Sequence, residues 1–325
     1  MSAEIKKPSA IERAWNWFFY EGYSGDSLGA LRALLGGGLL PYHISQFPHV
    51  LILDPNGARA QFIEPIWYFV YLGIDTHIPW LNIPIFILMM LATVFFMIGK
   101  WTKPSILVMV ICIFYLKGVR DSFAGDVHHR YLVPVTMLFF FFFSKCNHRF
   151  ALDAKKYKDK VVEEWEASWP IRASQAYIVM FYFWAVVAKL RMSGWEWFSP
   201  AGLIQSRLLS RSLRSGFNEE GELIRRAYAF DLAEHIWIVF TFGVIVAVFE
   251  LLAPLVLVLR KRWVTVFFLI GAAGFHITNY ILLNVQFFIY PFVFFTFFNM
   301  AWFAQKYRKD PVTGSVTGLD NTVSV

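Results

Sequence analysis

The stretches Phe139–Phe143 and Phe292–Phe298 carry almost no polar side chain, so neither can offer a wetted face at helical period. A segment that is apolar all round is buried either in a large soluble core or in lipid. Composition decides between the two. Of the 325 residues, 57% are hydrophobic, 19% aromatic and 16% charged, against about 25% charged in a soluble domain. A bilayer core takes roughly 20 apolar residues per helical crossing, and several stretches qualify. The expected fold is therefore an all-α, polytopic integral membrane bundle. We read eight spans, at about 26–46, 83–100, 104–120, 130–145, 173–192, 236–259, 263–284 and 286–304.

Gly36-Gly37-Gly38 lowers helix propensity in the first span, but would let another helix approach closely. The segment 62–80 is too short and interrupted to cross, and an interfacial or re-entrant course is expected there. Met1 to Arg13 is polar and holds no apolar leader core, so insertion is expected to begin with the first pair of spans. No linker divides the chain. The expected organisation is a cytoplasmic segment over 1–25, one transmembrane domain over 26–304, and a cytoplasmic, disordered tail over 305–325.

Charge sets the expected orientation. With the N-terminus in the cytoplasm, 18 of the 30 basic residues fall on cytoplasmic stretches. They include Lys100 and Lys103, the run from Lys145 to Arg172, Arg260-Lys261-Arg262, and Lys306 to Lys309. An even span count returns the C-terminus to the same side, with the plasma (inner) membrane as the expected location. The basic balance thus reads as topology. Nucleic acid is not an expected partner, since no aromatic-interleaved soluble domain accompanies the charge. Cys112 and Cys146 form no CxxC pair, and the eight histidines show no HxxxH spacing, so neither a thiol relay nor a metal is expected.

Ionisable groups inside spans are costly and mark candidate sites. Lys189 lies near the external end of the fifth span. It is either a snorkelling lysine or a partly desolvated base. His276 and Asn279, three apart, share one face in the outer half of the seventh span. They are either packing hydrogen-bonders or part of a pocket. His128, His129 and Arg130 open the fourth span, either as an interfacial cap or as acid/base groups at the same depth. Arg32 and Glu250 lie at overlapping depths in the inner half, and a structural ion pair between them is expected.

These residues also carry a resemblance. Gln175 to Leu190, followed by Gly194-Trp195, resembles the corresponding span of vitamin K-dependent γ-carboxylase. More broadly the chain is similar to the bacterial HTTM (horizontally transferred transmembrane domain) family. Ser27 to Gly37, with Arg32, resembles the family's opening span. His129-Arg-Tyr-Leu132 resembles its His-Ser-Tyr-Leu block, and Phe275-His276-Ile-Thr-Asn279 its Phe-His-x-x-Asn block. Glu250 falls where the family carries an acid. The resemblance covers about residues 10–304.

It implies a lyase-type membrane enzyme that carboxylates the γ-carbon of glutamate in a peptide or protein substrate. The implied co-substrates are reduced vitamin K or menaquinone, O2 and CO2. It further implies that Lys189 is the base, with His129 and His276 beside it and Asn279, His128 and Arg130 around the quinone. The chain departs from the animal enzyme by stopping just after the eighth span, where that enzyme continues into a large lumenal domain. A non-enzymatic factor for maturation, export or immunity of a secreted peptide is the alternative. A transporter is disfavoured, because no inverted repeat is visible.

Overall fold

The computed structural model describes residues 9–20, 22–47, 65–74, 79–124, 131–158, 160–198, 202–213, 227–283, 285 and 287–301. Among these residues the fold is all-α, with short 3₁₀ segments and no strand. The chain forms two compact units, Met1–Ser174 with Phe292–Val325, and Gln175–Pro291. The sequence expectation of one undivided transmembrane domain does not anticipate this division.

Unit one begins with the short helix α1 (Ala10–Tyr20) and the longer α2 (Gly25–Gln46). Ser24 caps α2 by accepting the Ser27 N–H at 3.3 Å. The short α3 (Trp67–Tyr71) follows, then α4 (Pro79–Ile98), α5 (Thr102–Ala124) and α6 (Leu132–Phe143). A 3₁₀ segment, Leu152–Tyr157, leads to α7 (Glu164–Ser193), inside which the unit boundary falls. The α3 segment is a helix of five residues. It lies against α5, with the Ile66 N–H on Ser122 Oγ at 3.1 Å and the Tyr68 hydroxyl on the Phe114 carbonyl at 3.0 Å.

The glycines of α2 mark a close approach. A Cβ on Gly36 would lie 2.7 Å from Met97 Cβ and 2.8 Å from Met97 Cα of α4, whereas at Gly37 the nearest atom is Met97 Sδ at 3.9 Å. Arg32, one turn earlier on α2, is 1% exposed. Its Nη1 donates to the Phe96 carbonyl at 3.1 Å, and its Nη2 to Gly29 at 3.4 Å and to the Phe150 carbonyl. The guanidinium thereby supplies a second donor to a carbonyl in the last turn of α4, where helical partners run out. Gly99 (φ +71°) closes α4, with the Lys100 N–H on Phe95 at 2.9 Å and the Gly99 N–H on Phe96 at 3.1 Å.

Unit two contains the second half of α7, α8 (Leu203–Leu213), α9 (Ala227–Glu234), α10 (Ile236–Leu252), α11 (Leu255–Leu259) and α12 (Arg262–Leu283). Pro254, which has no N–H to donate, stands where α10 gives way to α11. The expected span 286–304 is not one continuous helix. It contains a short helix, Tyr290–Phe294, and a 3₁₀ turn, Phe295–Phe297, after which Phe298 is extended. Pro291 suits only a first helical turn, and the Thr296 hydroxyl donates to the Val293 carbonyl at 2.8 Å, which favours a local turn.

Among the described residues three helices are long and apolar enough to cross a membrane, Trp80–Ile98, Glu164–Trp197 and Arg262–Leu282. Leu132–Phe143 and Ile236–Leu252 are apolar but shorter.

The close approach of α2 to α4 gives a test with opposite signs on adjacent residues. Gly36→Ala places a methyl against Met97 backbone and is expected to lower the melting temperature and the folded yield. Gly37→Ala has room, and is expected to be neutral or stabilising by about 0.5–1 kcal/mol through helix propensity. Thermal unfolding of both variants in one detergent checks the pair.

Candidate functional site

In unit two, α7 contributes Tyr182 and Lys189. Their spacing of seven puts them on one helix face, about 10 Å apart along the axis. Lys189 Nζ donates to both carboxylate oxygens of Glu250 on α10, at 2.7 and 2.5 Å. Glu250 is 1% exposed and the Lys189 side chain 19%. The Trp197 ring lies 5.6 Å from the ammonium, within cation–π range. A buried ion pair persists only when the geometry is good and both charges are matched. Here the contact is two-pronged, and the lysine gains an aromatic face as well.

This pairing corrects the sequence expectation. Glu250 takes Lys189 as its partner, and Arg32 takes backbone carbonyls in unit one. Matching depth along two spans leaves the direction each side chain faces undetermined, and Glu250 faces α7.

Below Lys189 lies an aromatic wall. Tyr182 stands edge-on to Phe249 and Phe268, each at 5.6 Å between centroids, and Phe249 stacks on Phe268 at 5.7 Å. The Tyr182 hydroxyl is 2.6 Å from His276 Nε2. The His276 ring packs on Tyr290 at 4.3 Å and on Phe287 at 4.7 Å. Asn279, one turn on, donates its side-chain N–H to the Phe275 carbonyl of its own helix at 2.8 Å.

Lys189 and Asn279 both line a cavity of about 960 Å³, together with Trp197, Phe249, Phe267 and Thr278. This is near the upper end of the roughly 300–1,000 Å³ usual for small-molecule sites. Lys189 is the one charged side chain among the lining residues. Phe242 and Phe267 also line it and are 50% and 70% exposed, so the cavity opens sideways through apolar side chains. Gly274 lines it too, and a Cβ there would meet nothing within 4 Å.

Of the residues expected to converge, Lys189 and Asn279 therefore share a cavity. His276 belongs to the Tyr182 cluster beside it, and His128, His129 and Arg130 lie outside the described residues. Comparison with protein-family models, with curated proteins and with solved structures finds no match.

Sequence reasoning missed Tyr182 and Trp197. Tyr182 had a legible signal, since it stands two turns before Lys189 on the same face. Trp197 had none, because it follows the end of α7 in a 3₁₀ turn, Gly194–Phe198. Among the described residues no group of three His, Cys, Asp or Glu side chains could hold a metal, and Cys112 and Cys146 are free thiols.

Unit one holds a second buried polar group. His43 Nδ1 is 3.1 Å from the Tyr131 hydroxyl, and the two rings stack at 5.9 Å between centroids. In the connecting segments, burial pulls the His148 pKa down to about 4, helped by Lys145 and Lys160. Burial alone would raise Asp153, but the Trp101 N–H, Lys156 and Lys100 outweigh it and hold that carboxyl below its ordinary value.

The Lys189–Glu250 contact can be tested by a mutant cycle. Lys189→Met leaves a carboxylate buried without its counter-charge, and is expected to cost about 3–5 kcal/mol. The double variant Lys189→Met/Glu250→Leu is expected to be more stable than Lys189→Met alone. Unfolding free energies of the two variants check this.

Proposed function

We propose that this chain is a multi-pass membrane enzyme whose unit-two cavity takes an apolar ligand bearing a polar head, of the reduced isoprenoid-quinone class. Within that reading, Lys189 and Glu250 together handle the proton of the head group. The observation that carries it is Lys189, the one charged side chain in the wall of an otherwise apolar, sideways-open cavity of about 960 Å³, with buried Glu250 matched to it from behind. Such a cavity suits a molecule that lives in the bilayer, and it fits the quinone that the carboxylase resemblance implies. Lys189 and Trp197 would face the head, and Phe249, Phe267 and Gly274 the apolar body.

The pairing changes the role given to Lys189. An ammonium held by two carboxylate oxygens cannot accept a proton. It must first pass one to Glu250 across the 2.5 Å contact, leaving an amine and a carboxylic acid. A dry wall lowers the cost of that neutral state relative to two separated charges. The base is thus the pair, with Glu250 as the proton store. The aromatic wall of Tyr182, Phe249 and Phe268 keeps water away from it. A bound reduced quinone would supply, with O2, the base strength needed to remove a carbon-bound proton. The reaction proposed is γ-carboxylation of glutamate in a peptide or protein.

The membrane part of the proposal comprises eight crossings, plasma-membrane residence and both termini in the cytoplasm. It is supported by the three long apolar helices and by the charge bias of the sequence.

The test uses the full chain in lipid nanodiscs with reduced menaquinone, labelled CO2 and a glutamate-containing peptide. Lys189→Arg keeps the positive charge but cannot release its proton in the working pH range. Incorporation of label is expected to fall to background in that variant while quinone binding persists. Undiminished incorporation in Lys189→Arg would remove the pair from the chemistry. Quinone binding without turnover in the wild type would favour the non-enzymatic reading.

A further inference from the structure

The geometry points to a second interaction surface, at one end of unit one, that binds anionic phospholipid head groups. It rests on the membrane reading alone and is independent of the unit-two cavity.

The place of this surface is fixed by the end of α4, a helix long and apolar enough to cross. Just past that end, Lys100 lies 5.3 Å over the ring of Trp101, which is 55% exposed. Buried Asp153 accepts the Trp101 N–H at 2.6 Å, and its own N–H donates to the Gly99 carbonyl at 3.0 Å. These two bonds pin the segment Leu152–Tyr157 to the end of α4, at the level where a crossing helix meets the head groups. Lys100 and Lys156 reach Asp153 at 3.6 and 3.3 Å. Beyond it Lys155, Lys158 and Lys160 are exposed, flanked by Leu152 and Val161, which are exposed as well.

Helix α1 joins the same end. The Gly22 N–H donates to Glu164 Oε1 at 2.9 Å, and the Arg172 guanidinium lies 4.2 Å from the Trp17 ring and 4.8 Å from the Tyr23 ring. Ser9 and Glu12 cap α1 reciprocally, at 2.6 and 3.1 Å. Its apolar stripe is turned outward, with Ile11 81% and Trp15 57% exposed.

Two features coincide here. Exposed tryptophans with an outward apolar stripe suit the acyl–head-group boundary. Clustered lysines beside a crossing helix suit anionic lipid. Among the described residues this end carries ten cations besides buried Arg32, namely Arg13, Lys100, Lys103, Lys145, Arg149, Lys155, Lys156, Lys158, Lys160 and Arg172, against the six carboxylates of Glu12, Asp26, Asp153, Glu163, Glu164 and Glu166. Asp153, Glu164 and Glu166 are already engaged by Lys156, the Gly22 N–H and Lys145. A soluble acidic partner would account for the lysines but not for Ile11, Trp15 and Trp101. An anionic leaflet accounts for both.

The experiment reconstitutes the full chain in vesicles of phosphatidylcholine with phosphatidylglycerol, and measures which spin-labelled lipid the protein retains. The wild type is expected to prefer phosphatidylglycerol, and to lose that preference as salt rises from about 0.05 M to about 0.5 M. The triple variant Lys155→Gln/Lys158→Gln/Lys160→Gln spares Lys156 and Asp153. It is expected to weaken the preference by about tenfold or more, each lysine near the surface being worth up to about fivefold. A spin label on Ile11→Cys is expected to report oxygen accessibility and shielding from a water-soluble relaxant. No phosphatidylglycerol preference in the wild type, a preference insensitive to salt, or a fully water-exposed label at position 11 would each overturn the proposal, whether or not the triple variant folds.

Discussion

Lys189 and Glu250 answer each other's charge at a depth where water cannot. The arrangement of unit two follows from that requirement. A carboxylate that is 1% exposed needs a cation, and the cation must come from a neighbouring helix at the same level. Helices α7 and α10 are thereby tied at one point, with Tyr182, Phe249 and Phe268 sealing the space below it. The same constraint acts on Arg32 in unit one, where the answer is a set of helix-end and loop carbonyls. Each buried charge meets its demand inside its own unit.

The two solutions have different chemical consequences. Backbone carbonyls cannot take up a proton, so Arg32 is a fastener between α2, the end of α4 and the segment before Leu152. A carboxylate can take one up, and the Lys189 that it holds lines a cavity large enough for a ligand. A polar group that holds helices together can also be the reactive group when its partner is titratable and an open space adjoins it.

Much of the helical layout was legible, because long apolar runs leave no other choice. The segments read as spans at 26–46, 83–100, 104–120, 130–145, 173–192 and 263–284 each overlie a helix, and 236–259 overlies α10 with α11. The glycines at 36–38 were legible as a close approach, since nothing but hydrogen fits beside Met97 at Gly36. Lys189 and Asn279 stood out in the sequence as polar groups within apolar runs, and both line the cavity. The partner of Glu250 was not legible. Depth follows from counting residues, but the facing of a side chain depends on how the helix is rotated within the bundle. Trp197 and Asp153 were hidden for a related reason, as both act from 3₁₀ segments whose course is set by tertiary hydrogen bonds.

The central claim is that the unit-two cavity is a ligand site facing the Lys189–Glu250 pair. Gly274 offers the most direct test, because it lines that space and a Cβ there meets no neighbour within 4 Å, leaving a larger side chain to grow into the cavity. Anaerobic titration of the reconstituted chain with reduced menaquinone is expected to give saturable binding in the wild type. In Gly274→Phe, with the melting temperature unchanged, that binding is expected to be lost. Wild-type affinity in the filled variant would contradict the claim.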